Sequence, residues 1–289
     1  MSTSNAVADA ATASPAAGLP APRGGAKALL LTVLGEFVLP TDGAAWTSSL
    51  VAAAEALDIS EKNARQAIAR IGDQGLIESK RHGRVARWSL TPTGRRLLEA
   101  GARRIYEFGA TFVDWSGEWL VAHCPVAESQ RASRAELRKQ LGFLGFGEVS
   151  ASLLVSPHVE REPALREILA SLGLLSESII LRSTTGSAEE TADLVRRAWD
   201  LDELASAYAA FARAHDREQP GDDGAAFRAT VELVHDWRRF PFIDPELPDE
   251  LLPDRWAGSV AAELFAKQHD ARSPGAQRWF AEREARGAA

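Results

Sequence analysis

The chain has a single cysteine, Cys124, in 289 residues. That excludes an internal disulfide and the multi-cysteine zinc sites, and it fits a reducing compartment, the cytoplasm. No apolar run reaches transmembrane length, so no membrane partner is expected. The histidines (His82, His123, His158, His215, His235 and His269) are scattered without the spacing of metal ligands, and no G-x-S-x-G nucleophile elbow occurs. Neither a cofactor nor an enzymatic activity is expected. There is no internal repeat. Residues 1–26 lack the basic start and compact apolar core of a signal peptide. They are rich in Ala, Ser, Pro and Gly and read as a disordered tail.

What the sequence does have is 45% hydrophobic residues, enough for sizeable cores, and a length suited to two or three domains. Its charge is uneven. The whole chain carries a formal charge of -7. Residues 27–110 hold 12 Lys and Arg against 9 Asp and Glu, whereas residues 111–289 hold 20 against 30. A mildly basic module precedes an acidic body. Specific DNA binding needs local phosphate contacts, not a positive whole.

The most informative stretch is Ser60 to Thr91. Ser60 is placed to cap a helix. Ala64, Ala67, Ile68 and Ile71 recur at three- and four-residue spacing and give that helix one small apolar face. Its other faces carry Lys62, Asn63, Arg65, Gln66 and Arg70. Arginine pairs with guanine, and Asn or Gln with adenine, so these are side chains that read base edges and phosphates. Most lie near the helix N-terminus, where a recognition helix meets bases. Gly75 ends the helix. Leu76–Ser79 and Val85–Leu90 read as strands joined by the basic turn Lys80-Arg81-His82-Gly83-Arg84, with a glycine suited to positive φ. Helix, strand, turn, strand is the order of a winged helix-turn-helix. Upstream, residues 27–39 predict an apolar helix, Trp46–Leu57 a second, and Asp58-Ile59 the tight turn into the recognition helix. Thr91 and Pro92 predict the cap and first position of a further helix running to about Phe108.

The remainder predicts a strand over Glu118–Cys124, a charged helix over 128–141 and a glycine-spaced segment over Leu141–Glu148. A strand over Ser150–Ser156, a helix over 162–173 and a strand over Glu177–Arg182 follow. With one strand from the glycine-spaced stretch, that is the βαββαβ order of a ferredoxin-like domain. From Glu189 onward the pattern is helical: one or two helices over 189–216, another over 225–239, then Trp256–His269 and Pro274–Arg286. Four prolines between Phe240 and Asp254 exclude a single regular element there. The fold class is therefore α+β, in four parts. These are the tail (1–26), a winged helix-turn-helix domain (27–110), a ferredoxin-like middle domain (111–187) and a helical C-terminal domain (188–289).

Four stretches carry a resemblance to a known family. They are LLLTVLGEFVLP, GRVARWSLTPTGRRLL, WSGEWLVAHCPVAESQRASRAELRKQLGFLGFGEVSASLLVSP and FIDPELPDELLPDRWAGSVAAELF, spread over residues 29–265. The chain resembles the PaaX family, regulators typified by the repressor of bacterial phenylacetate catabolism. The resemblance implies a cytoplasmic homodimer that represses transcription at a double-stranded DNA operator. It implies release by an aryl-acyl coenzyme A, phenylacetyl-coenzyme A in the type member. Carried over by position, Lys62, Asn63, Arg65 and Gln66 are the base readers. Lys80, Arg81, Arg84 and Arg87 are wing contacts to backbone or minor groove. The alanine-rich second helix and the long tail depart from the family pattern.

An acyl-coenzyme A needs cations for its phosphates and an apolar slot for its acyl arm. Two groups offer such chemistry. One is Trp237, Arg238 and Arg239, with Arg255 and Trp256 behind the proline-rich segment. The other is Arg131, Arg134 and Arg138, at helical spacing in the middle domain. Two other functional readings stand beside this one. The chain could regulate a different pathway through another ligand. Ferredoxin-like domains of this order also occur in metal-dependent nucleases, which place an Asp at the end of the first strand. Here that end is His123-Cys124-Pro125, with no carboxylate.

Overall fold

The structure, a computed structural model, describes residues 25–109, 114–126, 131–217 and 220–287. The expected tail, apart from Gly25 and Ala26, lies outside the described residues, as does the start of the charged helix at 128–130.

The N-terminal unit opens with α1 (Ala26–Val33), which continues as a π-helical turn over Leu34–Val38. Then come β1 (Ala44–Trp46), α2 (Thr47–Glu55), α3 (Glu61–Asp73), β2 (Ile77–His82), β3 (Val85–Leu90) and α4 (Pro92–Tyr106). Four helices and an antiparallel sheet in the order β1-β3-β2 result. The expected second helix starts one residue late, because Trp46 belongs to β1 and pairs with Arg87 of β3. The hairpin turn is shorter than the basic pentapeptide suggested. Lys80, Arg81 and His82 all pair within β2, leaving Gly83 and Arg84 as a two-residue turn. Gly83 sits at φ +62°, the left-handed value such a turn needs at its first central position. Thr91 caps α4 by accepting from the Gly94 N–H at 3.0 Å, with Pro92 in the first turn. Gly94 is obligatory for space: a Cβ there would lie 1.9 Å from the Leu76 carbonyl oxygen. Ser60 does occupy the N-cap of α3, but its hydroxyl makes no capping bond.

The middle unit runs β4 (Trp119–His123), α5 (Arg131–Phe143), β5 (Gly147–Ser150), β6 (Leu153–Ser156), α6 (Glu162–Ser171) and β7 (Ile179–Ser183). Its sheet order is β5-β6-β4-β7, all antiparallel, the ferredoxin-like arrangement expected. α5 and α6 pack Leu137, Leu141, Leu165 and Leu169 on one face of the sheet. Cys124 is 1% exposed in this core, and burial pushes its thiol pKa up, which suits packing rather than reactivity.

The C-terminal unit comprises α7 (Ala188–Ala198), α8 (Leu201–His215), α9 (Asp223–Trp237), a short α10 (Phe240–Ile243) and α11 (Ala257–Gly287). The two helices expected at the C-terminus are one. Pro274 lies inside α11, where its missing N–H removes one rung of the ladder. Packing holds the helix together across that gap. Gly275 and Ala276 are buried, and a Cβ on Gly275 would come within 3.1 Å of Ala226 on α9.

One core belongs to two units. Leu30, Val33, Phe37, Leu50, Ile68 and Ile71 of the first pack in the same cluster as Phe227, Val231, Trp279 and Phe280 of the last. Phe227 stacks on Trp279 at 4.2 Å and meets Phe37 at 4.9 Å. α3 therefore rests on a floor that the C-terminal helices help to build.

Candidate nucleic-acid interface

α3 divides as its spacing predicted. Ala64, Ala67, Ile68 and Ile71 are buried, against Leu50, Ala53 and Ala54 of α2. The small alanines at 53, 54, 64 and 67 let the two helices pack closely. Lys62, Asn63, Arg65, Gln66 and Arg70 are all exposed on the opposite side. Arg65 donates through Nε to Glu61 Oε1 at 2.8 Å, one helical turn back. Arg65 and Glu61 are each more than half exposed, so the pair costs little to open. Glu61 itself sits in the first turn, where a carboxylate favours the helix dipole.

The β2–β3 hairpin extends beside it. Lys80, Arg81 and Arg84 are exposed. Arg87 is different. It donates to Asp42 Oδ2 at 2.7 Å and lies over the Trp46 ring at 5.5 Å. It braces the loop before β1 and is committed within the fold. The hairpin is tied to α2 by a relay that sequence spacing did not reveal. Trp88 Nε1 donates to Thr47 Oγ1 at 3.1 Å, and that hydroxyl donates to the Ala86 carbonyl at 3.0 Å.

Several polar contacts cross from this module to the C-terminal helices. Thr32 Oγ1 and His235 Nδ1 are 3.2 Å apart. Glu284 Oε1 accepts the Trp46 N–H at 2.9 Å. Glu36, in the π-helical turn, accepts from Tyr106 and sits 3.0 Å from His269 Nε2. Arg228 of α9 reaches the turn between α2 and α3, donating to the Ala56 carbonyl at 3.1 Å and to Asp58.

Family comparison fits this architecture along its length. Residues 25–94 match the family model described as PaaX-like protein, residues 113–195 the PaaX protein central Cas2-like domain, and residues 199–282 the PaaX-like protein C-terminal domain. The chain belongs to the PaaX family. The transcriptional repressor PaaX of Escherichia coli (strain K12) is 29% identical over 267 residues, which is 88% of this chain and 83% of that protein. Among solved structures, the uncharacterized protein Rv0674 from Mycobacterium tuberculosis aligns with a TM-score of 0.59 at 22% identity. The match covers 88% of this chain and 96% of that one, and it shows a shared fold.

The two candidate effector clusters fare differently. In the middle domain, Arg134 donates to the Val126 carbonyl at 2.6 Å and Arg138 is paired with Glu148. The Arg131 side chain lies outside the described residues. Arg138 is thus neutralised and Arg134 occupied. In the C-terminal unit, Trp237 is 1% exposed and donates to the Ile105 carbonyl at 3.2 Å, so it is a core wall. Arg238 and Arg239 are half-buried and form no ion pair with a carboxylate among the described residues. Arg239 lies over Phe240 at 4.9 Å, and its Nε is buried without a hydrogen-bond partner. Burial lowers both guanidinium pKa values, the cost of desolvating a cation. The Phe240 ring beneath Arg239 is stacked on Tyr208 at 4.1 Å, and Trp256 is edge-on to Tyr208 at 6.0 Å. Arg255 is exposed beside Trp256. Among the described residues no group of three His, Cys, Asp or Glu side chains could hold a metal ion. No helix of the described residues is long and apolar enough to cross a membrane.

Proposed function

We propose that this chain is a dimeric, cytoplasmic, sequence-specific repressor of an aromatic-acid catabolic operon, of the phenylacetate type, released by an aryl-acyl coenzyme A. The observation that carries the reading is the outward face of α3, where Lys62, Asn63, Arg65, Gln66 and Arg70 all stand exposed beside the basic hairpin. Each α3 enters a major groove, and two copies read half-sites related by the dimer axis. Lys80, Arg81 and Arg84 then contact backbone or minor groove. The four-part division at residues 26, 110 and 187 is retained with it, although the first and last folded parts share a core. The exposed edge strand β7, with Ile179 and Leu181 more than half exposed, is the surface proposed for pairing with a second copy. The opposite edge, β5, is covered by α7, where Gly147 abuts Ala198 and Trp199.

Arg65→Ala is expected to weaken binding to the preferred duplex by about 1–3 kcal/mol and binding to other sequences much less. Fluorescence anisotropy on both kinds of duplex checks this. Equal weakening on all sequences would reduce Arg65 to a phosphate contact.

The effector is placed at Arg238 and Arg239, where Arg239 lies over the Phe240 ring, with Arg255 and Trp256 behind the proline-rich segment. It favours the arrangement that cannot hold DNA and shifts the population off the operator. The coupling expected of such a switch is about 1–3 kcal/mol. Reversing both charges (Arg238→Glu with Arg239→Glu) should leave operator binding intact and abolish release by phenylacetyl-coenzyme A. Unchanged release would move the site elsewhere.

A further inference from the structure

The turn of the helix-turn-helix is held from outside its own module. α2 ends at Glu55, and the chain reverses through Ala56, Leu57 and Asp58 before α3. Leu57 is buried. Asp58 adopts φ +60°, a left-handed conformation that Asp tolerates better than most side chains but that still needs support. The last carbonyls of α2 lack partners within the helix. Ala54 accepts from both Leu57 N–H and Ile59 N–H at 3.0 Å. The Ala56 carbonyl receives its side-chain donor from Arg228, at 3.1 Å. The same guanidinium pairs with Asp58 and, through Nε, with Glu232 Oε1 at 3.1 Å. One planar fork thus caps the end of α2, holds the left-handed residue and is itself aimed by its own helix.

Arg228 is well placed for that task. Its neighbour Phe227 is fully buried in the shared core, which fixes where α9 stands relative to α2 and α3. We propose that Arg228 is a positioning residue for DNA recognition: through the Ala56 carbonyl and Asp58 it sets the angle at which α3 leaves the turn. The inference rests on the DNA-binding reading above. The pair is open to solvent, with the Asp58 side chain 76% exposed, and exposed ion pairs contribute little to stability. A purely structural pair here would therefore be nearly silent. Mutations at a contact that relays one unit's position to another change coupled binding, here by roughly tenfold.

The test uses the full-length chain. In vitro selection with the wild type first supplies a preferred duplex, and a scrambled duplex of the same composition serves as the non-specific probe. Arg228→Ala and Arg228→Lys are then compared with wild type by anisotropy on both duplexes and by thermal melting. Lysine keeps the charge but cannot span three acceptors as a fork. The expected result is a roughly tenfold loss on the preferred duplex for Arg228→Ala and a smaller loss for Arg228→Lys. Scrambled binding and melting temperature should be unchanged. Adding Asp58→Asn to Arg228→Ala should not restore the loss, because geometry rather than charge is missing. Wild-type affinity in both Arg228 variants, or full recovery in the double variant, overturns the inference. A selection that enriches no sequence overturns the DNA-recognition reading itself, and this inference with it.

Discussion

Phe227→Ala is expected to lower the stability of the chain by about 3–5 kcal/mol, the range for removing a fully buried aromatic from a core. Phe227 lies on α9 of the C-terminal unit, yet its ring is sandwiched between Trp279 at 4.2 Å and Phe37 of the N-terminal module at 4.9 Å. The cavity would open under the helices that carry α3. Loss of folding and loss of DNA binding should therefore occur together, at the same urea concentration. Tryptophan fluorescence and DNA anisotropy followed along one urea titration check this. If the variant unfolds its C-terminal helices while full DNA binding persists at higher urea, the two units do not share a cooperative core.

The second large effect is a dependence on pH at the same seam. His235 is 8% exposed and faces Thr32 across 3.2 Å. Burial, assisted by the charge of Arg238, pushes its pKa down to about 4, against an ordinary value near 6.5. The folded state holds the imidazole neutral, while the unfolded chain takes up a proton as pH falls below that ordinary value. Stability from this group is thus fully present above the unfolded pKa and is lost between it and about pH 4. The loss amounts to about 3 kcal/mol at the acid end. Asp244 runs the other way. Burial raises its carboxyl pKa, opposed by the bond from Tyr208, so this group favours the folded state as pH falls through its folded pKa. Comparing urea midpoints of wild type and His235→Gln from pH 7 to pH 4 separates the two. The wild type should lose more stability than the variant, and parallel curves would show that His235 does not titrate with folding.

Local signals in the sequence located the exposed face of α3 well. The spacing of Ala64, Ala67, Ile68 and Ile71 identified the buried side of α3, and so left Lys62, Asn63, Arg65, Gln66 and Arg70 outside. Thr91-Pro92 marked the start of α4 because capping is a matter of adjacent residues. The βαββαβ order was legible for the same reason: each strand and helix declares its own period. What stayed hidden depends on partners far along the chain. Trp46 reads as helical until Arg87 pairs with it in β1, and the same pairing brings Asp42 to the Arg87 guanidinium. Phe227, Trp279 and Phe280 lie in segments that the sequence marks only as helical, and nothing there says that the opposing ring is Phe37. The single helix through Pro274 is likewise a result of packing on α9, which overrides the local preference to break.

We propose that α3 and the hairpin beside it bind a specific DNA operator under control of an acyl-coenzyme A. The most direct test is a mobility shift on the intergenic DNA upstream of the chain's own gene, titrated separately with phenylacetyl-coenzyme A, phenylacetate and coenzyme A. The expected result is a discrete complex that survives competitor DNA and is released by the thioester alone. No complex at moderate salt from a folded, dimeric sample would contradict it.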